Sequence, residues 1–169
     1  MKKIICSLLL LMNAVLANAQ DVITDKNWHA EVGPMITVPI RYTHYFSVLG
    51  VGVDAAANRN WISRLYAGGR VNYAYFFGQG SVEGEDVNIN LFNAMADGYY
   101  LFDNNILLGF SGGLGVAFNS GGTDLNFARV FYAGYALHAG MHDYVLTAFF
   151  DQTNYQKNIG VRGCIKLPF

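Results

Sequence analysis

Three oxygen-bearing side chains at alternate positions, Asp86, Asn88 and Asn90, resemble the start of a calcium-binding loop. Carboxylate and amide oxygens at such spacing ligate Ca²⁺ when a glycine follows at the sixth position and a glutamate closes the loop. Here Leu91 holds the sixth position and no closing glutamate follows. An extended strand also places alternate side chains on one face without any metal. We therefore expect no metal site and no cofactor.

A histidine and a serine in polar segments, His44 and Ser81, are the residues that could support nucleophilic catalysis. A serine becomes a nucleophile when a neighbouring base takes its proton and a third group orients that base. No local motif surrounds either residue, and no acid is placed to orient His44. We expect no catalytic residues in this chain.

The segments that carry these residues alternate between apolar and polar positions, as half-buried β-strands do. Hydrophobic residues make up 53% of the chain and charged residues only 14%, yet no apolar run after residue 19 could form a transmembrane helix. The predicted strands are 27–38, 45–57, 62–77, 86–102, 105–118, 127–140, 143–152 and 157–169. Short polar turns at 58–60, 103–105 and 141–142 alternate with longer connections at 78–85, 119–126 and 153–156.

Three positions do not fit the simple alternation. Pro34 lies inside a strand and cannot donate a ladder hydrogen bond, so we expect a β-bulge there. The apolar parity of the fourth strand changes near Leu91 and Phe92, where a second bulge would restore it. In the sixth strand we place Arg129 at the outer rim and His138 inward.

The last predicted strand ends in an alternating apolar face, Ile165, Leu167 and Phe169. A closing strand of this pattern with a terminal aromatic resembles the assembly signal of Gram-negative outer-membrane β-barrels. The whole segment 20–169 resembles the small eight-stranded barrels of the OmpA/OmpX type. The resemblance implies an all-β fold, a closed antiparallel up-and-down transmembrane barrel of eight strands, with apolar residues facing lipid and polar residues facing the lumen.

The N-terminal 19 residues read as a cleaved signal peptide. Two lysines precede an apolar stretch, 4–16, that is too short to span a bilayer, and the small residues Ala17 and Ala19 mark a cleavage site. We expect a single barrel domain, 20–169, in the outer membrane with both termini in the periplasm.

One parity of the predicted strands gives a set of lumen-facing polar residues. Those expected to form a charge network are Glu31, Asp54, Arg64, Arg70, Asp97, Arg162 and Lys166, and His29, Asn88 and Asn90 share the same side. An eight-stranded lumen is just wide enough to be filled by side chains, and a balanced set of buried charges can pair. We expect a plugged lumen; the alternative is a hydrated path for small solutes.

A specific pair follows from the turn at 58–60. A turn centred on Arg59 places Asp54 opposite Arg64, within reach of an ion pair. We expect this pair to fix the register of the second and third strands.

The resemblance implies a structural or envelope-maintenance role without catalysis. It also implies outer-membrane lipid, lipopolysaccharide and the barrel-assembly machinery as partners, and we expect a monomer. A net charge of −1 speaks against nucleic acid. The alternatives are a lipid A acyltransferase or deacylase acting at the outer rim through His44 and Ser81, a small-solute pore, and a soluble lipocalin-like barrel. The last would carry its apolar residues inside and its charges outside.

Overall fold

A computed structural model describes most of the chain beyond residue 27. The described residues are 28–42, 47–62, 64–78, 81–82, 85–86, 88–119, 122–139, 142–153 and 156–168. The expected signal peptide, His44 and Phe169 lie outside them. No helix long and apolar enough to cross a membrane occurs among the residues that the structure describes.

The described chain consists of β-strands in sequence order. They are β1 (Trp28–Tyr42), β2 (Ser47–Ile62), β3 (Leu65–Gly78), β4 (Ser81–Val82), β5 (Glu85–Asp86), β6 (Ile89–Leu101), β7 (Ile106–Asn119), β8 (Gly122–Ala139), β9 (His142–Gln152) and β10 (Gln156–Pro168). The two-residue strands β4 and β5 pair with each other in the connection between β3 and β6.

The other eight strands form a closed antiparallel barrel, which confirms the predicted fold class. Each strand pairs with its neighbours in the chain, and β1 closes the barrel by pairing with β10, for example Val32 with Ile165. Closure leaves no free edge among the eight described barrel strands, as a membrane-spanning sheet requires. We call the end with Trp28 and Pro168 the terminal end, and the opposite end, which carries the β4–β5 hairpin, the loop end.

The two faces of the wall differ as an outer-membrane barrel requires. Outward positions are apolar, including Val53, Leu114, Leu125, Phe131 and Val161, each of which is more than half exposed. Inward positions combine buried charges with an apolar cluster. This distribution is the inverse of a soluble barrel.

The β2–β3 hairpin differs from the predicted one. Asn58 pairs with Gly68 and Asn60 with Tyr66, and Ile62 pairs with Leu65 after a register shift, so the chain reverses between Ile62 and Leu65. The predicted turn at 58–60 is therefore wrong, and Asp54 pairs with Asn72 instead of Arg64. Asn58 is polar because it faces the lumen, where its side chain is fully buried.

Neither predicted bulge occurs where the pattern placed it. Pro34 pairs with Val53 in an unbroken β1–β2 register, while the register shift in β1 falls between Pro39 and Arg41 on the β10 side. Strand β6 pairs with β3 without interruption through Leu91 and Phe92. Leu91 faces inward because the lumen is apolar at that level, so no bulge is needed.

Of three further side chains, one lies where the sequence predicts it and two do not. Arg129 is exposed on the outer face of β8 towards the loop end, as expected. The prediction that His138 faces inward is wrong. Its side chain is exposed at the end of β8, where Nδ1 lies 2.6 Å from Asp143 Oδ1. The prediction that Asn90 faces the lumen is also wrong. Its side chain accepts a hydrogen bond from the Tyr73 hydroxyl at an exposed position.

Candidate functional site

The centre of the lumen holds a cluster of buried charges around Arg70. The Arg70 guanidinium, on β3, donates hydrogen bonds to Asp54 on β2, to Glu31 on β1 at 3.2 Å and to Asp97 on β6 at 3.0 Å. Its side chain is completely buried in these contacts. One cation thus joins carboxylates from three strands, which satisfies charges that could not otherwise remain in a dry interior.

Asp97 is the most extensively hydrogen-bonded acid of the cluster. Its Oδ2 accepts from Asn58 and Arg70, each at 3.0 Å. Its Oδ1 accepts from the hydroxyls of Ser111 at 2.5 Å and Tyr132 at 2.8 Å. Four donors from four different strands therefore surround this carboxylate.

Arg162 of β10 is the second cation of the cluster. Its Nη1 donates to Asp54 at 3.1 Å and its Nε donates to Thr147 at 2.8 Å. The Tyr132 ring lies between the two arginines, with its centroid 4.5 Å from Arg162 Cζ and 5.1 Å from Arg70 Cζ. The aromatic face attracts both cations, so Tyr132 links the charged residues into one unit.

An aromatic layer covers this cluster on the terminal side. The Tyr66 and Tyr99 rings stack with centroids 4.8 Å apart, and the His29 ring meets Tyr66 edge to face. His29 Nε2 lies 3.2 Å from Glu31 and 2.8 Å from the Tyr99 hydroxyl. Lys166 lies at this level, with its Nζ 5.0 Å from the Tyr66 ring centroid.

An apolar layer covers the cluster on the loop side. It consists of buried side chains from several strands, among them Met35, Phe76, Leu91, Met95 and Phe149. Beyond it Asp151 is buried and accepts a hydrogen bond from Asn158 at 3.3 Å. The described lumen thus carries three successive layers of side chains: aromatic, charged and apolar.

The structure brings most of the predicted charge network together. Glu31, Asp54, Arg70, Asp97 and Arg162 form the central cluster, and Lys166 lies at its terminal side. Arg64 does not belong to it. Arg64 lies in the β2–β3 turn and forms an ion pair with Asp103 at the surface, where the two side chains are 41% and 82% exposed.

The other predicted residues lie elsewhere. Ile165 and Leu167 are on the outward face of β10, and Leu167 is exposed. Asn88 accepts a hydrogen bond from the Gly78 backbone near the loop end. No group of three or more His, Cys, Asp or Glu side chains arranged to hold a metal ion occurs in the described part of the chain.

Sequence reasoning missed the uncharged members of the cluster. Tyr132, Asn58, Ser111 and Thr147 complete its hydrogen bonds, and all four are buried. Tyr132 could have been found from parity, since it shares a face of β8 with the buried Ala128 and Val130. The contact between Tyr132 and two arginines on other strands could not have been found from parity, because it depends on the tilt of the strands in the closed barrel.

The barrel is similar to solved structures of two small bacterial outer-membrane proteins, each an eight-stranded β-barrel. One is Ail, the attachment invasion locus protein of Yersinia pestis, solved in complex with the heparin analogue sucrose octasulfate. It superimposes with a TM-score of 0.58 at 12% sequence identity, over 86% of this chain and 100% of that chain.

The other is Neisserial surface protein A, with a TM-score of 0.53 at 11% identity, over 84% of this chain and 97% of that one. No protein-family model matches the sequence, and neither does any curated protein. At this identity the likeness concerns the fold: the chain has the fold of the small eight-stranded outer-membrane β-barrels of the OmpA/OmpX type.

Proposed function

We propose that the protein is an integral outer-membrane β-barrel with a sealed lumen and a structural or envelope-maintenance role. The observation that carries the proposal is the inverted distribution of polarity. Val53, Leu114 and Val161 point away from the barrel, whereas Arg70 and Asp54 are buried inside it. Such a wall is stable when lipid covers its outer face, because in water a continuous apolar belt would be exposed to solvent.

The same observation argues against the soluble lipocalin-like alternative. A soluble barrel that binds an apolar ligand needs an apolar cavity. Here the centre of the lumen is occupied by the ion pairs of Arg70 and Arg162.

The sealed lumen is supported by the three layers of side chains. A path for small solutes would have to pass the apolar layer that contains Phe76 and Phe149, and then the Arg70 cluster, in which each carboxylate is bonded to a neighbour. Moving those charges apart inside the barrel would cost several kcal/mol, on the order of the penalty for a broken buried pair. We therefore propose that the barrel conducts no ions.

We propose further that the protein has no catalytic activity, acts as a monomer and reaches the membrane through the barrel-assembly machinery. The titratable residues at the lumen centre form ion pairs with one another. The outward apolar positions of β10, including Ile165 and Leu167, support recognition of this strand during assembly. We place both termini in the periplasm because the β4–β5 hairpin extends the opposite end.

Fractionation tests the location. The protein should be recovered with the outer membrane and should migrate faster on a gel when unheated than when boiled. Recovery in the soluble periplasmic fraction would refute the proposal. Exposure of an epitope inserted between β4 and β5 on intact cells tests the orientation, with an epitope in the β6–β7 turn at Asn104 as the matched control.

Planar-bilayer recording tests the seal, and lipid analysis tests the absence of catalysis. Purified protein should give no conductance steps, and steps lost on heat denaturation would contradict a sealed lumen. Overexpression should leave the mass of extracted lipid A unchanged. A mass change that disappears in His44→Ala or Ser81→Ala would establish the enzyme alternative.

A further inference from the structure

The outer wall of the barrel carries a hollow over strands β7 to β10 and β1. It has a volume of about 850 Å³ and an almost entirely apolar lining. Its floor includes Ala133 and Ala148, which pair directly with each other across β8 and β9. Larger outward side chains, among them Phe131, Phe150 and Ile159, surround these alanines. The hollow is therefore a local thinning of an otherwise bulky apolar surface.

The hollow follows one row of paired residues across the wall. Gly109 pairs with Tyr132, Tyr132 with Phe149, and Phe149 with Gly160. The two aromatic rings point inward and lie over the glycines: a Cβ atom on Gly109 would be 2.2 Å from Tyr132 Cζ, and one on Gly160 would be 2.4 Å from Phe149 Cζ. Along this row the side chains lie in the lumen, so the outer surface of the wall is depressed here.

A second row, nearer the loop end, runs parallel to the hollow and is basic. Arg129 pairs with Gln152, Gln152 with Lys157, and Lys157 with Arg41. Arg129 precedes Tyr132 by three residues, and Lys157 precedes Gly160 by three. At roughly 3.3 Å per strand residue, the basic row lies about 10 Å from the hollow.

Two of these basic residues, Arg129 and Lys157, face outward. Arg129 is exposed, with its Cζ 5.5 Å from the Phe127 ring centroid. Lys157 shares the outward parity of the exposed Ile159 and Val161. Within the described residues, no carboxylate lies at ion-pair distance from Arg129 or Lys157. Cations at the edge of an apolar wall therefore have no counter-charge within the described protein.

We propose that this face binds one phosphorylated glycolipid of the outer leaflet, with its phosphates on Arg129 and Lys157 and acyl chains in the hollow over Ala133 and Ala148. The proposal rests on the membrane location and orientation proposed above. The two basic residues stand on β8 and β10 with one strand between them, about 9.6 Å apart at the usual strand spacing. That separation suits a headgroup with two phosphates better than a lipid with one. Arginine in particular recognises phosphate oxygens through paired donors.

Native mass spectrometry of the detergent-refolded protein, with added diphosphoryl hexa-acyl lipid A, tests this site. Wild-type protein should retain one lipid A. The variant Arg129→Gln/Lys157→Gln should lose about tenfold or more in apparent affinity, because it removes the charge-assisted bonds to phosphate. Filling the hollow with Ala133→Phe should weaken binding about fivefold or more, because it displaces buried methylenes.

Two matched controls separate the site from general effects. Arg64→Gln removes a cation at the terminal end, and Ala94→Phe adds the same bulk to the outward face of β6. Both should bind lipid A as the wild type does. Heat-modifiable migration of every variant shows that it is folded.

The outcomes distinguish this proposal from its alternatives. Unchanged binding by Arg129→Gln/Lys157→Gln or by Ala133→Phe would overturn it, as would an equal loss in Arg64→Gln. Phosphatidylglycerol, with one phosphate, should bind about tenfold more weakly; equal binding would overturn the assignment to a glycolipid. Because binding is measured in micelles, its failure would leave the cellular location intact, whereas fractionation tests the location alone.

Discussion

Arg70 Nη2 and Asp97 Oδ2 lie 3.0 Å apart in the middle of the barrel, although the two residues are not paired in the sheet. Arg70 pairs with Met95, and Asp97 pairs with Gly68. The side chains meet because Asp97 lies two residues beyond Met95 on the neighbouring strand, a diagonal position that a long side chain such as arginine can reach. The ion pair therefore joins the adjacent strands β3 and β6 across a diagonal on the lumen face.

Removal of Arg70 should be the most damaging single change to the cluster. Arg70→Met leaves Asp54, Glu31 and Asp97 buried without their shared cation. We expect the free energy of unfolding to fall by about 3–5 kcal/mol, the usual cost of leaving a buried charge unpaired. Urea titration of the protein in detergent micelles, followed by tryptophan fluorescence, measures the change.

Arg64, a surface arginine in the β2–β3 connection, is the matched control for Arg70. Arg64 pairs with Asp103 at exposed positions. Arg64→Met should change the free energy of unfolding by less than about 1 kcal/mol, because solvent screens such pairs. Equal losses of unfolding free energy in the two variants would show that the lumen ion pairs stabilise the barrel no more than a surface pair does.

Asp54 should couple to Arg162 and not to Arg64. Asp54 Oδ1 accepts a hydrogen bond from Arg162 Nη1 at 3.1 Å, whereas Arg64 lies in the β2–β3 connection. A double-mutant cycle of Asp54→Ala with Arg162→Ala should give a coupling energy above about 1 kcal/mol. The same cycle with Arg64→Ala should be additive within about 0.5 kcal/mol. Coupling to Arg64 would restore the pair that the turn pattern predicts.

The pattern of residues along the chain predicted the strands and their faces far better than their partners. Asp54 and Arg70 were both placed inward correctly, because the side-chain period of a strand is two. The pattern predicts the hairpin around Arg59, whereas the chain reverses between Ile62 and Leu65, a shift of four residues that keeps parity and changes every partner. Asn58 and Asn60 resemble turn residues, but Asn58 is polar because it donates to Asp97 in the lumen.

The apolar layer of the lumen could not be predicted by assuming a polar interior. Leu91 and Met95 face inward and pack with Phe76, so the inward face of β6 changes from apolar to charged along its length. A single polarity rule for the face therefore placed a bulge where the strand is regular. Only the neighbours on the other strands decide which polarity a given level requires.

Gly109 should tolerate no side chain. A Cβ there would meet the Tyr132 ring at 2.2 Å, and the hydroxyl of that ring is held by Asp97. Gly109→Ala should therefore lower the free energy of unfolding by about 1–3 kcal/mol, as overpacking of a filled interior does. Gly112→Ala is the control on the same strand, since its Cβ would meet the exposed rings of Phe110 at 3.2 Å and Phe127 at 3.8 Å, and its effect should stay within about 0.5 kcal/mol. Parallel thermal shifts of the unheated gel band compare the two, and an equal shift would contradict the close packing.

Tyr132 should contribute through its hydroxyl and its ring separately. Tyr132→Phe removes the 2.8 Å hydrogen bond to Asp97 and keeps the ring between Arg70 and Arg162. We expect a loss of about 1–1.5 kcal/mol, because three other donors still serve Asp97. Tyr132→Leu also removes the aromatic face and should cost about 1–2 kcal/mol more, since two cations lose their contact with it. Urea titrations of both variants in the same micelles give the two steps. If Tyr132→Leu were no less stable than Tyr132→Phe, the ring would not hold the arginines, and the cluster would depend on its carboxylates alone.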